Sequence, residues 1–351
     1  MSEKAAACLL CGEKADLRHD RYPGYQEPDT FNIYHCTGCK TAYSTPRPDS
    51  TAIYESIYRN GSRVPGYSRY WRYAALVKMV SNPLEYLADS HEDYWSVKQA
   101  LSMYATDKKW TKILEIGSGL GYLTYALNTA GYNVKGMDVS ETAVSRAKEN
   151  FGDNYICGDL FQYSETAAGS YDIVILTEVI EHVGNPEAFI HAVLTLLKPG
   201  GKAIITTPNK SFYPEDVIWA SDLPPVHCWW LGEESMEYIA GKLNVSCSFI
   251  DFTGFYKKNF QVTRIKSLNG QQLPRPFLNS RGELLRTTRE GSSVKSSMHV
   301  SITNQHGPGR VLAVLRRTFK GLYGKIRSKL SSGVKAGGKQ GPILCAVMHK
   351  K

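Results

Sequence analysis

Residues 112–121, Lys-Ile-Leu-Glu-Ile-Gly-Ser-Gly-Leu-Gly, constrain the fold more than any other stretch of this 351-residue chain. Ile113-Leu114-Glu115-Ile116 is a short apolar run of the kind that forms a strand buried on both faces of a parallel sheet. It breaks into Gly117, Gly119 and Gly121, and an amphipathic helix is expected over Tyr122–Ala130. Glycine in such a turn lets the backbone approach a ligand where a Cβ would collide. Strand, glycine turn and helix together make a nucleotide-type site at the carboxyl edge of an α/β sheet. Glu115 narrows the ligand: it repels a pyrophosphate and attracts a cationic cofactor. A Gly-x-Gly-x-Gly turn alone is a weak signal, so its meaning depends on the residues beyond it.

Downstream of the turn, strands and helices alternate regularly. Strands are expected at Asn133–Val139, Asn154–Cys157, Tyr171–Leu176, Lys202–Thr206 and near Val245–Phe252, with a last one inside Pro342–Met348. Helices are expected at Glu141–Asn150, Pro186–Leu197 and Glu233–Lys242. Alternation of this kind means a mainly parallel sheet with both faces covered. Acids stand at successive strand ends. Asp138 lies about 20 residues past the glycine turn, where an acid binds the hydroxyls of a cofactor ribose. Asp159 comes after the next strand, in Gly158-Asp159-Leu160. With Glu115 they suit a cofactor that carries an amino acid, a ribose and an adenine amine. Each acid taken singly is equally well a helix cap or a turn former.

These motifs resemble those of the class I S-adenosylmethionine-dependent methyltransferases, over about residues 110–254 and 341–351. The resemblance rests on Leu-Glu-Ile-Gly-Ser-Gly-Leu-Gly (114–121), Gly-Met-Asp-Val-Ser (136–140), Gly-Asp-Leu (158–160), Tyr-Asp-Ile-Val-Ile-Leu-Thr-Glu-Val-Ile-Glu-His-Val (171–183) and Leu-Lys-Pro-Gly-Gly (197–201). It implies an α/β fold with a seven-stranded, mainly parallel, Rossmann-like methyltransferase sheet. It places Glu115, Gly117 and Gly119 around the methionine moiety of S-adenosylmethionine, with Ser118 and Gly121 also at the cofactor. Asp138 and Val139 fall at the ribose, Asp159 and Leu160 at the adenine, and Thr177 and Glu178 along the cofactor.

Cys8-x-x-Cys11 and Cys36-x-x-Cys39 are two knuckles with 24 residues between them. Such a set presents four thiolates to one structural Zn²⁺. The other cysteines, Cys157, Cys228, Cys247 and Cys345, sit in apolar contexts and read as small buried residues. Residues 1–48 are therefore expected to be a zinc ribbon that leaves through Thr45-Pro46-Arg47-Pro48, and 49–108 a helical cap rich in Tyr and Trp. Residues 109–255 form the core, completed by 341–351. A zinc ribbon followed by Tyr-Ser-Thr-Pro-Arg-Pro resembles a subgroup of bacterial methyltransferases, several of which act on sugars.

Glu178, Glu181 and His182 come after the fourth core strand at i, i+3 and i+4, one face of a helix. Two carboxylates and an imidazole, joined by His227 from Pro-Pro-Val-His-Cys-Trp-Trp (224–230), suit a divalent cation such as Mg²⁺ that orients a substrate hydroxyl. The pattern resembles the Mg²⁺ site of 3′-terminal small-RNA 2′-O-methyltransferases and the Glu-His of ubiquinone-pathway O-methyltransferases. Two further readings stand beside it: His182 as general base without metal, and a purely structural role.

The net charge of +9 is unevenly placed. Residues 256–340, read as an insertion, carry 18 Lys/Arg against 2 Asp/Glu, so the rest of the chain is acidic. Within the insertion, 310–330 has apolar positions at helical spacing and a Lys/Arg face. It reads as a packed lid, as a peripheral contact with an anionic membrane leaflet, or, with least support, as a grip on nucleic acid. Glu3 and Lys4 precede any apolar run, and the longest apolar stretches are strand-sized, so a cytoplasmic protein is expected. The reading that draws these together is methyl transfer to a sugar hydroxyl of a glycan, glycolipid or nucleotide-sugar. Its catalytic residues are His182, Glu181 and His227. C-methylation of a keto-sugar, RNA ribose 2′-O-methylation and an inactive binding module are the rivals.

Overall fold

The computed structural model describes residues 5–64, 66–215, 218, 223–258, 273–285 and 341–351. The expected helix 310–330 and most of the basic insertion lie outside the described residues.

The N-terminal ribbon is an antiparallel sheet of β1 (Ala5–Ala7), β2 (Lys14–Pro23), β3 (Thr30–Cys36) and β4 (Ala42–Thr45). The cap comprises α1 (Thr51–Asn60), α2 (Ser68–Leu76), α3 (Pro83–Ser90) and α4 (Glu92–Tyr104). The core then runs β5 (Lys112–Ile116), α5 (Tyr122–Thr129), β6 (Asn133–Asp138), α6 (Glu141–Phe151), β7 (Tyr155–Cys157), α7 (Leu160–Thr166), β8 (Tyr171–Thr177), α8 (Pro186–Leu196) and β9 (Leu197–Pro208). It ends with β10 (Trp229–Trp230), α9 (Glu233–Lys242), β11 (Ser246–Phe249), α10 (Thr253–Lys258) and β12 (Ile343–His349).

Local chemistry sets several helix starts. Asn82 and Asn185 each precede a proline that opens a helix, and their side chains accept from the backbone N–H groups of Glu85 and Ala188. An oxygen-bearing cap followed by proline satisfies donors that a helix start leaves open. Ser140 caps α6 in the same manner, accepting from Ala143.

The core sheet has the order β11-β12-β9-β8-β5-β6-β7. Strands β9, β8, β5, β6 and β7 are parallel, and β12 runs antiparallel between β9 and β11. Alternate residues divide between two cores. Leu114, Ile116, Val174, Leu176, Ala203 and Ile205 pack beneath α8 and α9. Ile113, Ile173, Ile175 and Ile204 pack beneath α4 and α5. Strands buried on both faces need this continuous apolar run rather than alternation. The chain leaves β5 toward β6 on one side and has β8 on the other. That reversal opens a crevice at the carboxyl ends of the strands, where ligands bind in open α/β sheets.

Two sequence expectations change. Cys157 is exposed at the end of β7, because β7 is the sheet's edge and only three residues long. Trp229-Trp230 forms β10, which pairs antiparallel with β4, Trp229 opposite Tyr43 and Trp230 opposite Ala42. The ribbon sheet is thus completed by a strand from the second half of the chain. Both tryptophans are fully buried there.

Candidate active site

The glycine turn closes on the crevice. The N–H groups of Gly117 and Ser118 both donate to the Met137 carbonyl, at 2.8 and 3.0 Å, tying the end of β5 to β6. Gly117, Gly119 and Gly121 all have positive φ, 72°, 48° and 80°, which strains any other residue. Their surroundings differ. A Cβ on Gly117 would strike Val179, and one on Gly121 would lie 2.6 Å from Tyr155 and 2.7 Å from Ala147. A Cβ on Gly119 would meet nothing within 4 Å. The first and third glycines are therefore required by packing, and the middle one faces open space of the kind a bound cofactor fills.

The three strand-end acids take different positions. Glu115 is buried and accepts from the Thr124 hydroxyl. Burial pushes its carboxyl up to about 8 against the pull of the Thr124 bonds, with the Asp138 charge adding to the push. Asp138 is also buried, and its two oxygens accept from the Gly119 N–H at 2.8 Å and the Ser140 N–H at 2.9 Å. Asp159 is exposed and caps α7, its Oδ1 accepting from the N–H groups of Phe161 and Gln162. Leu160 is buried in the core, whereas Val139 stands 73% exposed beside Asp138. Ser118 is buried, with its hydroxyl unbonded.

Past β8 the chain does not continue as an α-helix. Thr177 ends the strand, Glu178 adopts φ 52°, and Ile180–His182 forms one 3₁₀ turn. Glu178 consequently does not share a helical face with Glu181 and His182, although its charge still reaches Glu181 and His227. Its Oε2 accepts from Arg69 and from the Tyr70 hydroxyl, each at 2.6 Å. Burial would raise this carboxyl; the Arg69 guanidinium outweighs it and holds the group at about 2. Glu178 therefore leaves the cation-binding set that its spacing predicts.

Glu181, His182 and His227 do converge, with one ligand atom from each within 4.8 Å of the others. Glu181 is fully buried; Oε2 accepts from the Thr207 hydroxyl at 3.0 Å, and Oε1 has no hydrogen bond and lies 3.9 Å from His182 Nε2. Burial, then the Glu178 charge, push its carboxyl well above the usual range. The His182 and His227 rings meet edge-on with centroids 4.4 Å apart. Burial lowers His227 to about 4. His182 Nδ1 lies 2.6 Å from the Val226 carbonyl, an acceptor, so Nδ1 carries the proton and Nε2 the lone pair. One carboxylate and two imidazoles suit a transition metal or Zn²⁺ better than Mg²⁺, which prefers oxygen ligands.

Four residues of the cap join this site without a motif to announce them. Tyr54 donates to the Val226 carbonyl at 3.1 Å and touches His182 Nδ1 at the same distance. Tyr58, one turn along α1, feels the Asp138 charge. Arg69 and Tyr70 hold Glu178, and Arg69 reaches His91 at 3.3 Å. The available signal was Tyr54 and Tyr58 at i, i+4 on one face of an aromatic helix.

At the ribbon, Cys8, Cys11, Cys36 and Cys39 form one cluster with all four sulfurs within 4.8 Å. Cys8 and Cys39 are 3.8 Å apart and Cys11 and Cys36 3.4 Å, too far for disulfides. Sulfurs about 2.3 Å from a tetrahedral Zn²⁺ stand about 3.8 Å from one another, so the set fits that ion.

Residues 86–246 match the family described as Methyltransferase domain. This segment is a class I S-adenosylmethionine-dependent methyltransferase domain. Ubiquinone biosynthesis O-methyltransferases are among its relatives: that of Erwinia tasmaniensis is 30% identical over 105 residues, 28% of this chain and 43% of the relative. That of Azoarcus sp. is 34% identical over 109 residues, 29% of this chain and 46% of the relative. The chain thus spans less than half the length of the curated relatives it matches. A SAM-dependent methyltransferase structure from Archaeoglobus fulgidus aligns with 72% of this chain and 93% of its own, at TM-score 0.40 and 16% identity. Among the described residues, no helix is long and apolar enough to cross a membrane.

Proposed function

We propose that this protein methylates a hydroxyl oxygen of a sugar, carried on a glycan, glycolipid or nucleotide-sugar, with His182 as proton acceptor. O-direction is supported by relatives named as O-methyltransferases. A polar, aromatic cap around the crevice (Tyr54, Tyr58, Tyr70, Arg69) supports a sugar-like acceptor. The observation that carries the reading is the 2.6 Å contact of His182 Nδ1 with the Val226 carbonyl, which assigns the ring proton to Nδ1.

Bound S-adenosylmethionine supplies an electrophilic methyl group on a sulfonium. Glu115, Asp138 and the Gly117–Gly121 turn hold and orient it; Gly119 leaves it room. The hydroxyl oxygen forms its bond to the methyl carbon as the carbon–sulfur bond breaks, and His182 Nε2 takes the hydroxyl proton. Alignment supplies much of the acceleration, and a positioned base adds about 100-fold or more.

A second reading places a divalent cation on Glu181, His182 and His227, favoured by the unbonded Glu181 Oε1 among converging donors. The cation would lower the pKa of the acceptor hydroxyl. For the ribbon we propose one structural Zn²⁺ on Cys8, Cys11, Cys36 and Cys39, measurable by metal analysis.

The test is transfer of labelled methyl from S-adenosylmethionine to a panel of nucleotide-sugars and glycans, with wild type and His182→Asn. The expected result is a methylated hydroxyl and loss of at least about 100-fold in the variant, with S-adenosylhomocysteine affinity retained. Full activity in His182→Asn rejects the base, and methylation of RNA or of carbon rejects the sugar hydroxyl. Loss of activity on chelation at the 181/182/227 set, with the ribbon zinc retained, selects the cation reading.

A further inference from the structure

The Thr45-Pro46-Arg47-Pro48 exit of the ribbon has no part in the chemistry above, yet it is built into the wall of the site. The Arg47 guanidinium lies 3.8 Å from the centroid of the Trp229 ring. Its Nη1 donates to the Gly184 carbonyl at 2.7 Å, and its Nε to the Ser44 carbonyl at 3.3 Å. Nη2 is buried without a hydrogen bond, and among the described residues no carboxylate neutralises the group. A half-buried guanidinium with one buried, unbonded nitrogen and no counter-ion is a cost to stability, so its presence calls for an account in what it holds.

It holds two segments of the site together. Gly184 ends the turn that carries Glu181 and His182, and Trp229 comes directly after His227-Cys228. The same two segments are tied by two further bonds, and a third ties the second segment to β4. The Cys228 N–H donates to the Glu181 carbonyl at 3.0 Å. The Trp229 indole N–H donates to the Val183 carbonyl at 2.9 Å. The Ser44 N–H of β4 donates to the Cys228 carbonyl at 3.0 Å. Beyond them β4 pairs with β10. Cys39 and Thr41 of the ribbon reach α9 through Ser235, at 3.1 and 2.8 Å.

We infer that Arg47, stacked on Trp229 and bonded to Gly184, is a positioning residue that sets His227 in register with Glu181 and His182. The inference rests on the proposed role of those three side chains. In this arrangement the ribbon is the scaffold of the acceptor half of the site, while the cofactor half stands on β5 and β6 without it. A flat cation suits the position: lysine can bond Gly184 but cannot lie along the indole.

The experiment uses the full-length, zinc-loaded protein with Arg47→Gln and Arg47→Lys. Three quantities are read: imidazole resonances by NMR, S-adenosylhomocysteine affinity by calorimetry, and kcat on whichever panel sugar the wild type methylates. In Arg47→Gln the His182 and His227 resonances are expected to move while those of His19, on the far ribbon strand, stay. Affinity for S-adenosylhomocysteine stays within about twofold, and kcat falls about 100-fold, as for a displacement near 1 Å. Arg47→Lys recovers part of both the shifts and the rate. Wild-type resonances and rate in folded Arg47→Gln overturn the inference, as does a parallel loss of cofactor affinity, which marks general destabilisation. Should Arg47→Gln not fold, Arg47→Lys, which keeps the charge and can bond Gly184 but loses the stacking on Trp229, is expected to shift the same two resonances on its own. Unmoved resonances there also overturn it. Failure of the base reading is separate: an active His182→Asn rejects that role and leaves the resonance test of Arg47 intact.

Discussion

Replacing Glu115 by Gln isolates one buried charge in the cofactor pocket. The folded protein holds this carboxyl at about 8 against an ordinary 4.5, burial being the main cause. A group whose folded pKa is raised contributes stability that is complete below its unfolded value and is lost as the pH rises through the folded value. For Glu115 the window runs from 4.5 to about 8. At about 1.36 kcal/mol per pH unit the whole loss is on the order of 4 to 5 kcal/mol. Glutamine is neutral throughout and keeps an acceptor for Thr124, so the variant lacks this loss. Urea unfolding of the cofactor-free protein is therefore expected to give similar stabilities near pH 5, with Glu115→Gln the more stable by several kcal/mol at pH 9. Asp138 and Glu181 are also pushed up by burial, but both proteins contain them, so the difference belongs to Glu115.

Cofactor binding reads the same proton in the opposite sense. A cationic ligand beside Glu115 favours the carboxylate and drives the proton off. The affinity of the wild type for S-adenosylmethionine should therefore climb up to about tenfold per pH unit from pH 6 and level off above pH 8. Titrations at pH 7 in buffers of different ionisation enthalpy should register close to one proton released by wild type and none by Glu115→Gln. An equal stability difference at pH 5 and pH 9, or binding by wild type without proton release, would refute the reasoning.

The glycine turn should divide into a packing part and a ligand part. Gly121→Ala meets Tyr155 and Ala147 at a φ of 80° and is expected to lose about 2–4 kcal/mol by urea unfolding. Gly119→Ala, with nothing within 4 Å, should lose only about 1–2 kcal/mol. It should still weaken S-adenosylhomocysteine at least about tenfold by calorimetry, because its methyl occupies the ligand's space; the reverse order of effects contradicts the assignment. Arg69→Met leaves the Glu178 carboxylate buried beside Tyr70 alone, on the order of 3 kcal/mol at pH 7. Glu178 is held down at about 2 by Arg69 and is raised by burial without it, so that penalty should grow as the pH rises through the variant's raised value and fade as the pH falls from 4.5 toward 2; a pH-independent loss would point to packing instead.

The sheet was legible because its signal is local. Strands β5 and β8 are short apolar runs closed by Gly117 and by Glu178, and such runs fix both burial and the position of the turn. The turns at the strand ends follow from the same signal, so Glu115, the three glycines and Asp138 meet at the carboxyl ends of β5 and β6, where the sequence expects them. Contacts between distant segments left no such trace. Nothing in Tyr43 or Trp229 alone says that they lie opposite each other in one sheet. Nothing in Arg69 says that it meets a carboxylate 109 residues away. Cys157 misled for a related reason: an apolar neighbourhood in sequence implies burial only where a further strand covers it, and β7 has none on its outer side.

The Glu-x-x-Glu-His spacing shows why a motif's meaning depends on the backbone that carries it. On an α-helix its two carboxylates face one ligand. Here a positive φ at Glu178 and one 3₁₀ turn separate them, and their environments then drive them apart chemically. Arg69 holds the Glu178 carboxyl down, whereas burial and the Glu178 charge push Glu181 up against the pull of its backbone and Thr207 hydrogen bonds. Two carboxyls pushed in opposite directions mark separate roles. Glu178 is the fixed anion that anchors the cap through α2. Glu181 is the exchangeable one, since a proton or a cation can equally neutralise it beside His182 and His227. The choice between base and cation catalysis thus turns on what sits against a single buried oxygen, Glu181 Oε1. The ribbon determines whether His227 is there to share it.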